Sequence, residues 1–176
     1  MKRPFLALVL VALALAPMSA QLRLDLGIDV PKGAGALLGS SVTMSSDVAN
    51  ALSSTFFPFP EASLHYRFGN QFIGVGLGIR AFTFIVESAA WPNAFVELGL
   101  GPVVLEAQVG GGLFAVFGVS NNITTGNVFF PDLSAWIKLG KTFRLGVGTM
   151  GIFLPGQSGG TVPFVFYLGA KAAINI

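Results

Sequence analysis

The sequence predicts an all-β fold: an eight-stranded antiparallel up-and-down transmembrane β-barrel. Three observations carry this prediction. Apolar and polar residues alternate with a period of two from Gln21 to the last residue. Tight-turn residues and longer segments alternate between the apolar stretches. The composition is 53% hydrophobic and only 10% charged, yet no run of about 20 apolar residues offers a membrane-spanning helix.

The first predicted strand, residues 21–30, shows the alternation most clearly. One face carries the apolar residues Leu22, Leu24, Leu26, Ile28 and Val30. The other face carries Arg23, Asp25, Gly27 and Asp29. A helix, with a period of about 3.6 residues, would mix these two sets, so the segment is predicted to be a strand.

Seven further segments repeat this pattern in chain order, at residues 59–68, 71–86, 93–101, 103–117, 131–139, 143–153 and 163–176. In each of them, bulky apolar residues fill one frame. The other frame holds glycine, serine, aromatic residues and isolated charges, as in QFIGVGLGIRAF, where three glycines precede Arg80. The even number of strands lets the sheet close without an unpaired edge.

The connections between these strands alternate in length. Gly69-Asn70, Gly101-Pro102 and Gly140-Lys141 are tight-turn pairs. The other links are predicted to be loops at residues 31–57, 87–92, 118–130 and 154–162. Short turns at one end and long loops at the other are typical of a barrel with a periplasmic and an external side. Loop 31–57 is expected to be mobile, to cover the mouth or to present an outer surface.

Residues 1–20 are predicted to be a cleaved signal peptide, and residues 21–176 to be the barrel domain. Lys2 and Arg3 precede an apolar stretch of the usual length, and Ala20 suits the cleavage site. Without Lys2 and Arg3 the mature chain has 8 basic and 8 acidic residues, so it offers no net charge for nucleic acid. The absence of cysteine excludes disulfides, thiolate metal sites and cysteine nucleophiles.

Composition decides which face points inward. The outside of a soluble barrel should be rich in lysine and glutamate, whereas here the polar frame is mostly glycine and serine with few charges. The apolar frame, which is nearly free of charge, suits the hydrocarbon of a bilayer. The polar frame is therefore predicted to face the lumen, in a monomer surrounded by outer-membrane lipid.

Charges in the polar frame are predicted to form a neutral, ion-paired network that fills the lumen. Gly74, Gly76 and Gly78 are expected to make room for Arg80 and for charges from other strands, since an eight-stranded barrel has space for little more than side chains. The predicted network consists of Arg23, Asp25, Asp29, Glu61, His65, Arg67, Arg80, Glu97, Glu106, Asp132, Lys138, Arg144 and Lys171.

Strand direction predicts the depth of the remaining inward residues. Six large apolar or aromatic side chains are expected in the upper lumen, at the loop end, where they either fill space or form a mouth for small hydrophobic solutes. These residues are Phe82, Phe84, Phe95, Phe114, Met150 and Tyr167.

The strand pattern resembles the small eight-stranded bacterial outer-membrane barrels of the OmpA, OmpX and OmpW types. The resemblance covers the whole mature chain, but it is one of architecture and rests on no specific motif. OmpA-like and OmpX-like barrels imply a polar, plugged lumen with a role in anchoring, adhesion or defence. OmpW-like barrels imply passage of small hydrophobic molecules through an apolar upper lumen.

No catalytic, metal or cofactor site is predicted. Ser63, His65 and Glu61 share a strand face, but residues two apart lie about 7 Å apart along a strand, which is too far for a nucleophile and its base. A single histidine is no transition-metal site. The leading hypothesis is a non-catalytic outer-membrane barrel, either a structural and surface-interaction protein or a minor pore. The alternatives are a channel or binding site for hydrophobic solutes, a lipid-modifying enzyme and a soluble lipocalin-like carrier.

Overall fold

The computed structural model describes residues 19–37, 58–84, 87–119, 121–155 and 162–176. The predicted signal peptide lies outside these ranges except for Ser19 and Ala20, which belong to the first strand. Of the predicted loop 31–57, residues 38–57 also lie outside them. Within the described ranges there is no helix long and apolar enough to cross a membrane.

Eight strands form a single closed barrel in which each strand pairs with its neighbours in the sequence, and β1 pairs with β8. Every pairing is antiparallel. The predicted up-and-down fold is therefore confirmed. The strands are β1 (Ser19–Leu37), β2 (Phe59–Gly69), β3 (Ile73–Phe84), β4 (Glu87–Leu100), β5 (Val103–Gly118), β6 (Asn122–Leu139), β7 (Phe143–Gly151) and β8 (Val162–Asn175).

The closure is staggered. Residues 19–29 of β1 pair with β2, whereas residues 23–37 of the same strand pair with β8. A stagger of this kind is required when tilted strands close into a cylinder. Residues 23–29 of β1 therefore have partners on both sides, whereas the two ends of the strand pair on one side only.

Three tight turns join the strand pairs at one end, as predicted. Gly69, Gly101 and Gly140 have φ values of 133°, 67° and 76°, a region that glycine adopts without steric cost. The Asn70 side chain accepts hydrogen bonds from the backbone N–H groups of Phe72 and Ile73, which fixes the first turn.

The strands at the opposite end are longer than predicted. The segment 87–92 belongs to β4, and most of 118–130 belongs to β6, so neither is a long loop. Register shifts interrupt the ladders at Pro31/Gly33, Ala90/Asn93 and Gly111/Leu113. These irregularities break the period of two, and for that reason a prediction from alternation alone makes the strands too short.

Two strand ends are shorter than predicted. β3 ends at Phe84, and residues 85–86 lie outside the described ranges. β7 ends at Gly151, although Phe153 still forms an isolated bridge with Phe129. These ends mark the rim of the barrel at the side opposite the tight turns.

Along each strand the apolar frame faces outward and the polar frame inward. Leu77 and Ile79 expose 66% and 57% of their surface, whereas Arg80 in the alternate frame exposes 2%. Among the described residues, nine charged side chains and His65 are buried in the interior, together with a few large aromatic residues. The hydrophobic side chains of this barrel therefore lie mainly on its outer surface.

Candidate functional site

Arg23 of β1 organises the ion pairs nearest the tight turns. Its Nε and Nη2 donate to the two carboxylate oxygens of Asp25 at 2.7 and 2.5 Å. Its Nη1 donates to Glu97 of β4 at 2.6 Å, and Nη2 also donates to Glu106 of β5 at 3.2 Å. One guanidinium thus links three strands, with the paired hydrogen bonds that suit carboxylates.

Three further cations complete this group, which we call the lower cluster (Arg23, Asp25, Arg67, Glu97, Glu106, Arg144 and Lys171). Arg67 donates to Glu97 at 2.7 Å, and Arg144 donates to the other oxygen of Glu97 at 3.3 Å. Lys171 donates to Glu106 at 2.6 Å. The cluster spans the bore, because these seven residues come from β1, β2, β4, β5, β7 and β8.

Arg80 of β3 organises a second group closer to the loop end, which we call the upper cluster (Asp29, Glu61, Arg80, Asp132 and Tyr167). Arg80 donates to Glu61 at 2.9 Å and to Asp132 at 2.7 Å. The Tyr167 hydroxyl donates to the second oxygen of Asp132 at 2.7 Å. Asp29 lies farther away, with its Oδ2 3.8 Å from Arg80 Nη2.

Uncharged polar residues connect with the lower cluster. The Asn93 amide lies 3.0 Å from His65 Nε2 and donates to Gln108 at 2.8 Å. Gln108 in turn donates to Glu106 at 2.5 Å. The prediction left out Asn93 and Gln108, because it sorted residues by charge, although both occupy the inward frame of their strands.

Glycines accommodate the large inward side chains. A Cβ at Gly74 would meet the Arg67 guanidinium, and one at Gly76 would meet the ring of Phe95. At Gly78 a Cβ would meet the backbone carbonyl of Leu64. The predicted reason for glycine is thus correct, but the space serves Arg67, Phe95 and a close approach of two strands, and not Arg80.

An aromatic cavity of about 250 Å³ lies at the loop end of the lumen, above the upper cluster. Phe82 stacks on Trp91 with ring centroids 5.5 Å apart, and Trp91 contacts Phe130 at 4.8 Å and Phe114 at 6.1 Å. The cavity is lined by Asp29, Pro31, Phe59, Phe82, Ala89, Trp91, Phe114, Phe130, Met150, Val165 and Tyr167.

Four of the six residues predicted at the mouth line this cavity: Phe82, Phe114, Met150 and Tyr167. The Phe84 side chain lies outside the described part of the structure. The predicted position of Phe95 in the upper lumen is wrong. Its ring packs against His65, with ring centroids 4.9 Å apart, and lies 5.1 Å from the Arg23 guanidinium of the lower cluster. Its partners across the sheet, Gly76 and Gln108, place it well below the rim.

Trp91 and Phe130 are cavity residues that the sequence analysis missed. Both fall in segments that were predicted to be loops, 87–92 and 118–130. Their extended backbones place them in the inward frame after the register shifts in β4 and β5. The signal that could have found them is their position, because both are aromatic residues next to the start of a predicted strand.

A polar cavity of about 460 Å³ opens at the tight-turn end. Its lining includes Arg67, Arg144, Lys138 and Lys141. Lys138, which was predicted to join the charge network, forms no ion pair with any residue that the structure describes. The other twelve residues of the predicted network are brought together in the lumen.

The trio Ser63, His65 and Glu61 has no catalytic arrangement. Glu61 is bonded to Arg80, and the His65 side chain hydrogen-bonds to Asn93 rather than to Ser63. Across the described ranges no group of three or more histidine and acidic side chains is arranged to hold a metal ion. This trio therefore provides no nucleophile–base pair, and the described residues provide no metal centre.

Three solved structures of bacterial proteins are similar to this chain. Neisserial surface protein A is 11% identical with a TM-score of 0.48, covering 90% of this chain and 99% of its own. The N-terminal β-barrel domain of Pseudomonas aeruginosa OprF is 11% identical with a TM-score of 0.47, and the match covers 89% of this chain and 100% of that domain. Pseudomonas aeruginosa outer membrane protein OprG is 9% identical with a TM-score of 0.35, and the match covers 92% of this chain and 97% of OprG.

The likeness, which agrees with the architectural resemblance stated from the sequence, is one of fold alone, and no property of these proteins carries over to this chain. No protein-family model matches the sequence, and no curated protein matches it. The roles of individual residues therefore depend on the geometry of this barrel alone.

Proposed function

We propose that this chain is a non-catalytic integral outer-membrane β-barrel, exported through its N-terminal signal and surrounded by lipid as a monomer. The observation that carries the proposal is the inverted distribution of polarity. Arg23, Arg80 and Asp132 expose 2% of their surface or less, while apolar side chains cover the outside. Water would disfavour such an outer surface, and bilayer hydrocarbon would favour it.

Exposed aromatic residues near both ends of the barrel support the same location. Tyr66 and Phe68 form an edge-to-face pair near the tight turns, where Phe72 and Phe143 are also exposed. Phe164 and Phe166 form a similar pair towards the loop end. Aromatic girdles at the two membrane interfaces are typical of outer-membrane barrels. A lipocalin-like carrier would have the opposite arrangement, with its apolar side chains inside.

The filled lumen favours a structural or surface-interaction role over a pore. The lower cluster crosses the bore, and the upper cluster closes it again nearer the mouth. Ions would have to separate several buried, hydrogen-bonded pairs to pass through, which costs several kcal/mol for each uncompensated charge.

Fractionation of cells tests the location. We expect the mature protein in the outer-membrane fraction, extractable by detergent, with a faster-migrating band on a gel before boiling than after. The closed barrel stays folded in mild detergent, and this produces the shift. Recovery of a soluble protein from the periplasm would contradict the proposal and favour the lipocalin-like carrier.

A second function, the binding of small hydrophobic solutes at the mouth, is supported by the aromatic cavity. Its volume of about 250 Å³ and its aromatic walls suit a small apolar molecule. Because the upper cluster lies beneath it, the cavity is a binding site rather than an open channel. Titration of the purified barrel with a neutral aromatic probe measures binding at the cavity. Replacement of Trp91 by leucine should lower the affinity for this probe.

A further inference from the structure

The two ionic clusters are unequally balanced. In the lower cluster four cationic side chains face three carboxylates. In the upper cluster, Arg80 is the only cation among the described residues that forms ion pairs with Asp29, Glu61 and Asp132, which leaves a formal excess of two negative charges within the cluster. Buried charge without compensation is costly, so this excess requires a further positive charge or protons.

Asp29 is the least compensated member of the upper cluster. It is 5% exposed, and its Oδ1 accepts no hydrogen bond in the described part of the structure. Its Oδ2 lies 3.8 Å from Arg80 Nη2, whereas Glu61 and Asp132 lie 2.7 Å from the same guanidinium. Arg80 is thus already committed to two other carboxylates.

The Asp29 side chain lines the aromatic cavity, and among the described residues of its wall it is the only charged one. Trp91, Phe82, Phe114 and Phe130 contact one another around the same space. The faces of aromatic rings attract cations, most strongly for tryptophan and within about 6 Å of the ring centroid. The aromatic walls therefore favour a positive charge, and a positive charge would also compensate the Asp29 carboxylate.

We propose that the aromatic cavity binds a small organic cation, an ammonium group carrying an apolar substituent, with Asp29 as its counter-ion. This inference rests on the proposed binding function of the mouth and names its ligand class. A metal ion is disfavoured because Ca²⁺ takes six to eight oxygen ligands, which aromatic walls do not supply. The apolar substituent fills the cavity, and the ammonium group lies among the rings near the carboxylate.

Isothermal titration of the purified, refolded barrel in a maltoside detergent tests the proposal. The probes are benzyltrimethylammonium and its neutral isostere neopentylbenzene. Detergents that carry a quaternary ammonium group are avoided, since they are themselves ligands of the proposed class. We expect the cationic probe to bind at least tenfold more tightly than the neutral one.

Two pairs of variants locate the binding. Asp29→Asn keeps the shape of the side chain and should weaken the cation at least tenfold while changing the neutral probe less than twofold, whereas Asp29→Glu should retain preference for the cation. Trp91→Leu should weaken both probes, and Phe143→Leu on the outer surface should weaken neither. Heat-modifiable migration verifies that each variant is folded.

The outcomes separate this inference from the proposed binding function. Equal affinity for the two probes, or a cation affinity unchanged in Asp29→Asn, overturns the cation site and leaves a hydrophobic pocket. The latter result is also expected if protons neutralise Asp29. Failure of both probes to bind the folded barrel overturns the binding function itself.

Discussion

At the scale of single residues, the fully buried charges of this barrel form ion pairs with partners on other strands. Arg80 is 2% exposed, and its guanidinium bonds to Glu61 on β2 and Asp132 on β6. Burial of an ionised side chain is costly, and only close, hydrogen-bonded opposite charges offset that cost. The loss of one partner is therefore more harmful than the loss of a whole pair.

Replacement of Arg80 by methionine should destabilise the barrel by about 3–5 kcal/mol, because it leaves buried carboxylates unpaired. Addition of Glu61→Gln and Asp132→Asn should recover part of this loss. Lys138→Met, which removes a lumen cation without an ion pair to any described residue, should change stability by less than about 0.5 kcal/mol. Urea-induced unfolding in lipid vesicles measures these differences, and equal effects of Arg80→Met and Lys138→Met would contradict the role of the upper cluster.

Glycines in the inward frame differ in what surrounds them, and this gives a graded prediction. Gly78→Ala should destabilise by about 1–3 kcal/mol, because the new methyl group would meet the backbone of β2. Gly76→Ala should cost less, since the ring of Phe95 can move. Gly33→Ala, with nothing within 4 Å of the added Cβ, is the control and should not destabilise the barrel. Equal unfolding midpoints in urea for all three would show that steric demand does not explain the glycines.

At the scale of the strand, the outward frame distinguishes a membrane barrel from a soluble one. Ile79 lies near the centre of β3 and exposes 57% of its surface. An arginine at the midplane of a lipid-facing strand costs about 2–4 kcal/mol, falling to about 0–1 near the interface. Ile79→Arg should therefore destabilise the barrel in vesicles far more than Gln71→Arg at the tight turn, as measured by urea unfolding. A soluble barrel would tolerate both.

The strand cores could be predicted from the sequence, and the strand ends at the loop side could not. β2 agrees with the prediction to within a residue, because its burial alternates along the whole strand. β5 also agrees to within a residue, although its burial alternates only as far as Gly110. β6 begins at Asn122 rather than at residue 131, since NITTGNV lacks the alternation and a register shift lies opposite it. Trp91 and Phe130 were missed for the same reason, which removed two of the six aromatic residues of the cavity wall from the predicted mouth.

At the scale of the whole molecule, we propose that the ionic clusters close the bore. Arg23 joins carboxylates on β1, β4 and β5, so its hydrogen bonds bridge opposite walls. We expect the unmodified barrel to show no steady conductance in planar lipid bilayers. Arg23→Ala combined with Arg80→Ala removes the central residue of both clusters and should produce measurable openings, whereas Lys138→Ala should not. A conducting wild-type barrel, or a silent double variant, would contradict closure by the two clusters.

The sequence by itself determined the number of strands, their order and the inward frame, because a period of two assigns every residue of a regular strand to one of two faces. Only the tertiary structure decided which acid meets which base, because partners such as Arg80 and Asp132 lie 52 residues apart and meet across the bore. It also decided the depth of Phe95 and the composition of the aromatic cavity. Those depend on barrel stagger and on local register shifts, which the alternation of side chains does not record.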